Sequence, residues 1–124
     1  MNFNWIKYIY LATELLKGSD ESYYRSAISR AYYGVFCIAR DRKGYSNYKR
    51  SDIHSKVITE YVKSNDEDER SVGFLLVELR NSRNQADYNS DKVIRKNEAE
   101  RMVKAAKYIL GILGIPFNDR KEYL

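Results

Sequence analysis

Four polar side chains in one short stretch have the types and spacing to hold an anion. In Leu79-Arg80-Asn81-Ser82-Arg83-Asn84-Gln85-Ala86-Asp87-Tyr88, Arg80, Arg83, Asn84 and Asp87 stand at i, i+3, i+4 and i+7. On a helix that is one face. Two guanidinium groups there present forked, permanently charged donors suited to phosphate oxygens, and the Asn84 amide can orient a base or ribose. Arg83 also lies near the line of the apolar residues Val72, Leu76 and Leu79. Its side chain must therefore be partly buried and needs a carboxylate, carbonyls or a phosphate. Two readings follow. In one, Arg83 and Asp87 are an internal ion pair that fixes helix register and Arg80 is solvated. In the other, Arg80 and Arg83 face a phosphate.

Further groups suit the same chemistry. Ser22, Ser26, Arg30 and Tyr33 form a polar edge along a second amphipathic segment, and Arg30, between Ala27 and Ala31, is a second partly buried cation. His54 is the only histidine; it is either a cap or surface residue or the one imidazole of a site. A single histidine and a single cysteine cannot build a metal centre, so no metal is expected. Gly18, Gly34 and Gly44 are isolated, which excludes a glycine-rich phosphate loop, and no cofactor is expected. Cys37, inside Val35-Phe36-Cys37-Ile38-Ala39, reads as a small core residue.

Helices position these groups. Trp5, Tyr8, Ile9, Ala12, Leu15 and Leu16 predict a first helix over Asn4 to Leu16, ended by Gly18, with Ser19 or Asp20 capping the next. Tyr24, Ala27, Ile28, Ala31, Val35 and Ile38 form the stripe of the longest helix, Glu21 to Arg42. Its small residues Ala27, Ala31 and Gly34 permit close approach by a neighbour. A loop from Gly44 to Arg50 precedes a short helix, Asp52 to Lys63. Ser64 and Glu67 have capping-box spacing ahead of a fourth helix over Asp66 to Asp87. Asn97 and Glu100 can cap a fifth, stopped by Gly114 and Pro116. No stretch alternates with period two. The expected fold is all-α: an up-and-down four-helix-bundle-like domain with an additional short helix, spanning residues 1–124 as a single domain.

The net charge of +5 permits a nucleic-acid or nucleotide partner without identifying one. Twelve tyrosines supply rings with hydroxyl tips, suited to interfaces and to stacking on bases as well as to core edges. The first residues lack the pattern of a signal peptide, and no apolar run reaches membrane-spanning length. A cytoplasmic protein with no membrane association is expected.

Two segments carry a resemblance. Tyr24-Arg25-Ser26-Ala27-Ile28-Ser29-Arg30-Ala31-Tyr32-Tyr33-Gly34-Val35-Phe36 is similar to the second-helix signature of small stand-alone prokaryotic HEPN domains (higher-eukaryote and prokaryote nucleotide-binding). Leu79 to Tyr88 resembles their fourth-helix signature, and His54 resembles the histidine that often opens their third helix. The resemblance implies a four-helix-bundle-like fold, a homodimer, nucleotide or RNA binding, and action beside a minimal nucleotidyltransferase in a toxin–antitoxin-like pair. The arginine face and the polar edge, taken with this resemblance, nominate Arg30, Tyr33, His54, Arg80, Arg83, Asn84, Asp87 and Tyr88 as binding residues. Many relatives are metal-independent RNases with a histidine four to six residues after the arginine. Here Tyr88 stands five residues after Arg83, and a phenol, with an ordinary pKa near 10, is a poor general base at neutral pH. Three functions thus stand side by side: a binding module; an RNase using Arg83 with His54 or Tyr88; and a non-catalytic structural dimer.

Overall fold

The computed structural model describes residues 2–119. Five helices follow in order: α1 (Ile6–Leu15), α2 (Glu21–Arg42), α3 (Ile53–Val62), α4 (Glu67–Tyr88) and α5 (Lys96–Ile112). No strand occurs among the described residues. α2 is the spine and packs against α1, α4 and α5, while α3 lies mainly against α4. One continuous core runs through the domain, with Ile28, Tyr32 and Val35 of α2, Leu76 and Leu79 of α4, and Ile109 and Leu110 of α5 all buried. The expected all-α, bundle-like architecture with one short helix is the architecture observed. No helix among the described residues is long and apolar enough to cross a membrane.

Caps account for most of the helix limits. Asp20 starts α2 by accepting a hydrogen bond from the Ser22 amide at 2.9 Å. At α4 the spacing of Ser64 and Glu67 misleads. The N-cap is Asp66, which accepts from the Asp68 amide at 2.9 Å. Ser64 instead accepts from the Asp66 amide and donates to Glu69, and Glu69 also binds Lys43 at the end of α2. Ser64 thus pairs with Glu69 rather than with Glu67, and the expected box does not form. α5 begins at Lys96 without a side-chain cap, so Asn97 and Glu100 lie inside it.

α1 stops at Leu15 with Leu16 still in helical geometry, and Gly18 has no positive φ. Gly44 and Gly114 do have positive φ, 82° and 73°. Each completes a Schellman closure: the amides of Tyr45 and Ile115 bind the carbonyls of Arg40 and Leu110.

Close approach is the other role of glycine here. A Cβ on Gly34 would lie 2.2 Å from Ile9 Cδ1, so α1 sits on the small-residue face of α2 as the sequence suggested. A Cβ on Gly73 would meet the backbone of α3, 2.6 Å from the Val62 nitrogen and 2.9 Å from the Tyr61 carbonyl carbon. Backbone cannot rotate away as a side chain can. Gly73→Ala should therefore lower unfolding stability by about 1–3 kcal/mol, the usual cost of overpacking. Gly111, with open space around its Cβ position, is the control. Gly111→Ala should leave stability unchanged or raise it by up to about 1 kcal/mol. Urea denaturation of both variants checks the pair.

Candidate functional site

The last turn of α4 carries no basic residue of its own, although its terminal carbonyls need donors. Arg25 of α2 supplies them. Its Nη1 donates to the carbonyls of Gln85, Ala86 and Asn89 at 3.3, 3.0 and 3.0 Å, and its Nη2 reaches the Lys92 carbonyl. Glu21 orients Arg25 through Nε at 2.9 Å and accepts from the Ile94 amide at 3.0 Å. This fork fixes where α4 ends against α2, and so where residues 83 to 88 stand.

Arg83 is the centre of the site, with its side chain 13% exposed. Its Nε lies 2.9 Å from Asp87 Oδ2. The contact is off the N–H direction, so it is an ion pair, and the buried Nε makes no hydrogen bond. Asp87 Oδ2 also accepts from Ser29 Oγ at 3.1 Å, which ties the pair to α2. Nη1 donates to Asn84 Oδ1 at 2.9 Å, and Nη2 donates to the Tyr33 hydroxyl and, at 3.2 Å, to the Tyr88 hydroxyl. The guanidinium carbon lies over the rings of Tyr33 and Tyr88, 4.7 and 5.1 Å from their centroids, which adds cation–π attraction.

Arg30 and Arg80 differ from Arg83. Both are half-buried. Arg30 lies over the Tyr8 ring at 4.9 Å. Neither arginine forms a hydrogen bond or ion pair among the described residues. An open cleft of about 560 Å³ runs between Trp5 and Tyr8 on one side and Ser29, Arg30, Tyr33, Arg83 and Asp87 on the other. Cys37 closes its floor; it is buried, and burial pushes its thiol up to about 11, so it stays protonated.

His54, near the start of α3, stacks on Phe36 with centroids 4.1 Å apart and touches the Tyr33 ring edge-on at 6.0 Å. Its Nδ1 shares a 2.6 Å hydrogen bond with the Tyr32 hydroxyl. The phenol is the donor when the ring proton is on Nε2. Burial, then the charges of Arg80, Arg83 and Arg40, bring the imidazole down to about 4. Burial raises the Tyr32 hydroxyl. At neutral pH the pair is uncharged.

The structure thus brings Tyr33, Arg83, Asn84, Asp87 and Tyr88 into direct contact, with Arg30 across the same cleft. Arg80 stands one turn away, outside that cluster, and reaches His54 through its field alone. The internal pair of Arg83 with Asp87 is present, but Arg80 is half-buried rather than fully solvated, and neither Arg80 nor Arg30 has such a partner among the described residues. Sequence reasoning did not single out Arg25 or Ser29 as site residues, and it read Trp5 and Tyr8 as core. Arg25 and Ser29 fall within the Tyr24 to Phe36 segment; their spacing of four puts them on one face of α2, and the structure turns that face to α4.

An all-helical domain with a cation-lined cleft between its second and fourth long segments is the class that fold and site define. The HEPN domain family model matches residues 7–115, and the chain belongs to that family. No curated protein and no solved structure matches it.

The histidine gives a pH test. The unfolded chain takes up the imidazole proton near the ordinary pKa of about 6.5, and the folded chain only near 4. Between these values the unfolded state binds more protons, so stability rises with pH. His54's part of the loss on acidification begins near 6.5 and is complete near 4. His54→Asn should flatten the fall in melting temperature between pH 6.5 and 4 relative to wild type. Parallel curves would place the acid sensitivity in the carboxylates instead.

Proposed function

We propose that the chain is a nucleotide- or RNA-binding HEPN protein that holds phosphate in the Arg30–Arg83 cleft with Arg80 nearby. It acts with a nucleotidyltransferase partner, as in toxin–antitoxin-like pairs, in the cytoplasm. One observation carries the binding reading: three half-buried guanidinium groups, Arg30, Arg80 and Arg83, share the region with Asp87 as the one carboxylate lining the cleft. A structural dimer accounts for the Arg83–Asp87 pair but leaves Arg30, which has the Tyr8 ring alone, without a counter-charge. A phosphate would supply it through charge-assisted hydrogen bonds.

The RNase reading draws on the approach of His54 to Tyr33 and to the field of Arg80 and Arg83. An imidazole lowered to about 4 and engaged at Nδ1 by Tyr32 is a weak base, so binding without cleavage is the better-supported function.

Fluorescence anisotropy of a labelled RNA oligonucleotide tests it. Arg83→Lys keeps the charge but loses the planar fork, and should weaken binding about tenfold, the worth of one charge-assisted bond of about 1.5 kcal/mol. Arg83→Ala should weaken it further and reduce the salt dependence by about one released counterion. Removing Arg83 also strands Asp87, so thermal stability is measured alongside, with Arg83→Ala/Asp87→Ala as the compensated control. Unchanged binding in every folded variant would make the arginine face structural.

We also propose a homodimer. Phe74 and Val77, at i and i+3 on α4, are 61% and 40% exposed, and Tyr108 on α5 is 64% exposed. Such apolar groups on adjoining helices suit a protein partner. Sedimentation at micromolar concentration should give a dimer for wild type and a monomer for Phe74→Glu. A monomeric wild type would reject the assignment.

A further inference from the structure

Arginines and rings alternate from the phosphate cleft along the seam of α1 with α2. Arg83 lies over Tyr33 at 4.7 Å, Arg30 over Tyr8 at 4.9 Å and Arg40 over Trp5 at 5.7 Å. Tyr8 and Trp5 meet edge to face at 5.4 Å, which joins the Arg30 and Arg40 pairs, and the Arg83–Tyr33 pair lines the same cleft as Arg30 and Tyr8, so the three follow one another as a ladder. Arg30 and Arg40 are on the same helix, about 15 Å apart along its axis from the helical rise.

Trp5 is a wall common to two clefts. On one side is the 560 Å³ cleft with Arg30 and Tyr33. On the other is a second cleft of about 530 Å³, shared with Arg40, Ser46 and Asn47. The charge is graded between them. Arg30 has no anionic partner, whereas Arg40 is paired with Asp41 at 2.9 Å. The first cleft therefore favours a phosphate. The second favours neutral polar and aromatic surface. A mononucleotide fills the first and leaves the second empty.

We infer that this ladder is a track for a single-stranded polynucleotide: a phosphate lies at Arg30 and Arg83, a neighbouring unpaired base stacks at Trp5, and the strand continues toward Asn47. The inference rests on the phosphate-binding reading and narrows its ligand from a nucleotide to an unpaired strand. Cations along the backbone with rings beneath the bases are what sequence-tolerant single-strand binding requires. A duplex keeps its bases stacked inside and offers none to Trp5.

Trp5 is the only tryptophan, so its fluorescence reads the proposed contact directly. The full chain is titrated with a six-nucleotide RNA, the DNA of the same sequence, a blunt-ended two-strand RNA duplex and AMP. The RNA hexamer should quench Trp5 and bind at least tenfold more tightly than AMP, from one added base stack. The duplex should bind without quenching. Equal binding of the DNA hexamer would mean that the track reads stacking alone; weaker DNA binding would add a contact to the ribose 2′-hydroxyl. Both support a strand track. Trp5→Leu should reduce hexamer affinity about tenfold and AMP affinity by much less. If that variant loosens α1, quenching in the wild type and the hexamer-to-AMP ratio of Arg30→Met still decide. Hexamer binding that depends on Arg83 but shows no quenching and no gain over AMP would overturn the track and leave the phosphate site standing. Loss of all Arg83-dependent binding would reject both.

Discussion

The guanidinium of Arg25 on the closing carbonyls of α4 is the contact on which the site depends. α4 ends without a basic residue, and its last carbonyls would otherwise face the end of the bundle unpaired. Arg25 reaches across from α2 to Gln85, Ala86, Asn89 and Lys92. Glu21 then links the same fork to the Ile94 amide, where the chain turns into α5. One side chain thus fixes the relative heights of α2, α4 and the entry to α5. Ser29 can meet Asp87, and Tyr33 can meet Arg83, because that height is set.

Given that frame, α2 carries both the core and the chemistry. Its inner stripe, with Ala27, Ala31 and Gly34, lets α1 approach closely. The approach brings Tyr8 and Trp5 beside Arg30 and Arg40. Cations half-buried at such a seam lose hydration, and rings recover part of that cost through their faces. Arg83 has the fullest compensation, in Asp87 and two phenols. Arg30 has one ring. The pairing is thus unequal along the seam, with a carboxylate at Arg83 and none at Arg30.

The fold was largely legible because its signals are local and repeated. α2 runs over Glu21–Arg42 as its stripe indicates, and the small residues of that stripe do face α1. What misled was local chemistry recruited by distant partners. Glu69 answers to Lys43 as well as Ser64, so the spacing of Ser64 to Glu67 gave the wrong cap. Candidates for the site were legible on three helices, but their contacts were legible along one helix only. Periodicity placed Arg83, Asn84 and Asp87 together, but it cannot show which helix supplies Ser29 or Tyr33. Nor can it show that Arg80, on the same nominal face, falls outside the cluster. Trp5 and Tyr8 satisfy a core pattern and line a cleft at once, and a hydrophobic stripe does not distinguish the two.

Tyr88 links these points to function. In the family's nuclease pattern a histidine falls within the window that this tyrosine occupies. Here the side chain is 73% exposed, yet its ring lies beside the Arg83 guanidinium and its hydroxyl accepts from Nη2. It therefore covers the outer side of the cation that Tyr33 covers from within. A ring in that place adds cation–π attraction to the ion pair and helps hold the guanidinium in one orientation. The sole imidazole sits instead on α3, stacked on Phe36 and held by Tyr32, away from the outer edge of the cleft. The phenol and the imidazole thus stand on different helices, and of the two only the phenol hydrogen-bonds to the Arg83 guanidinium.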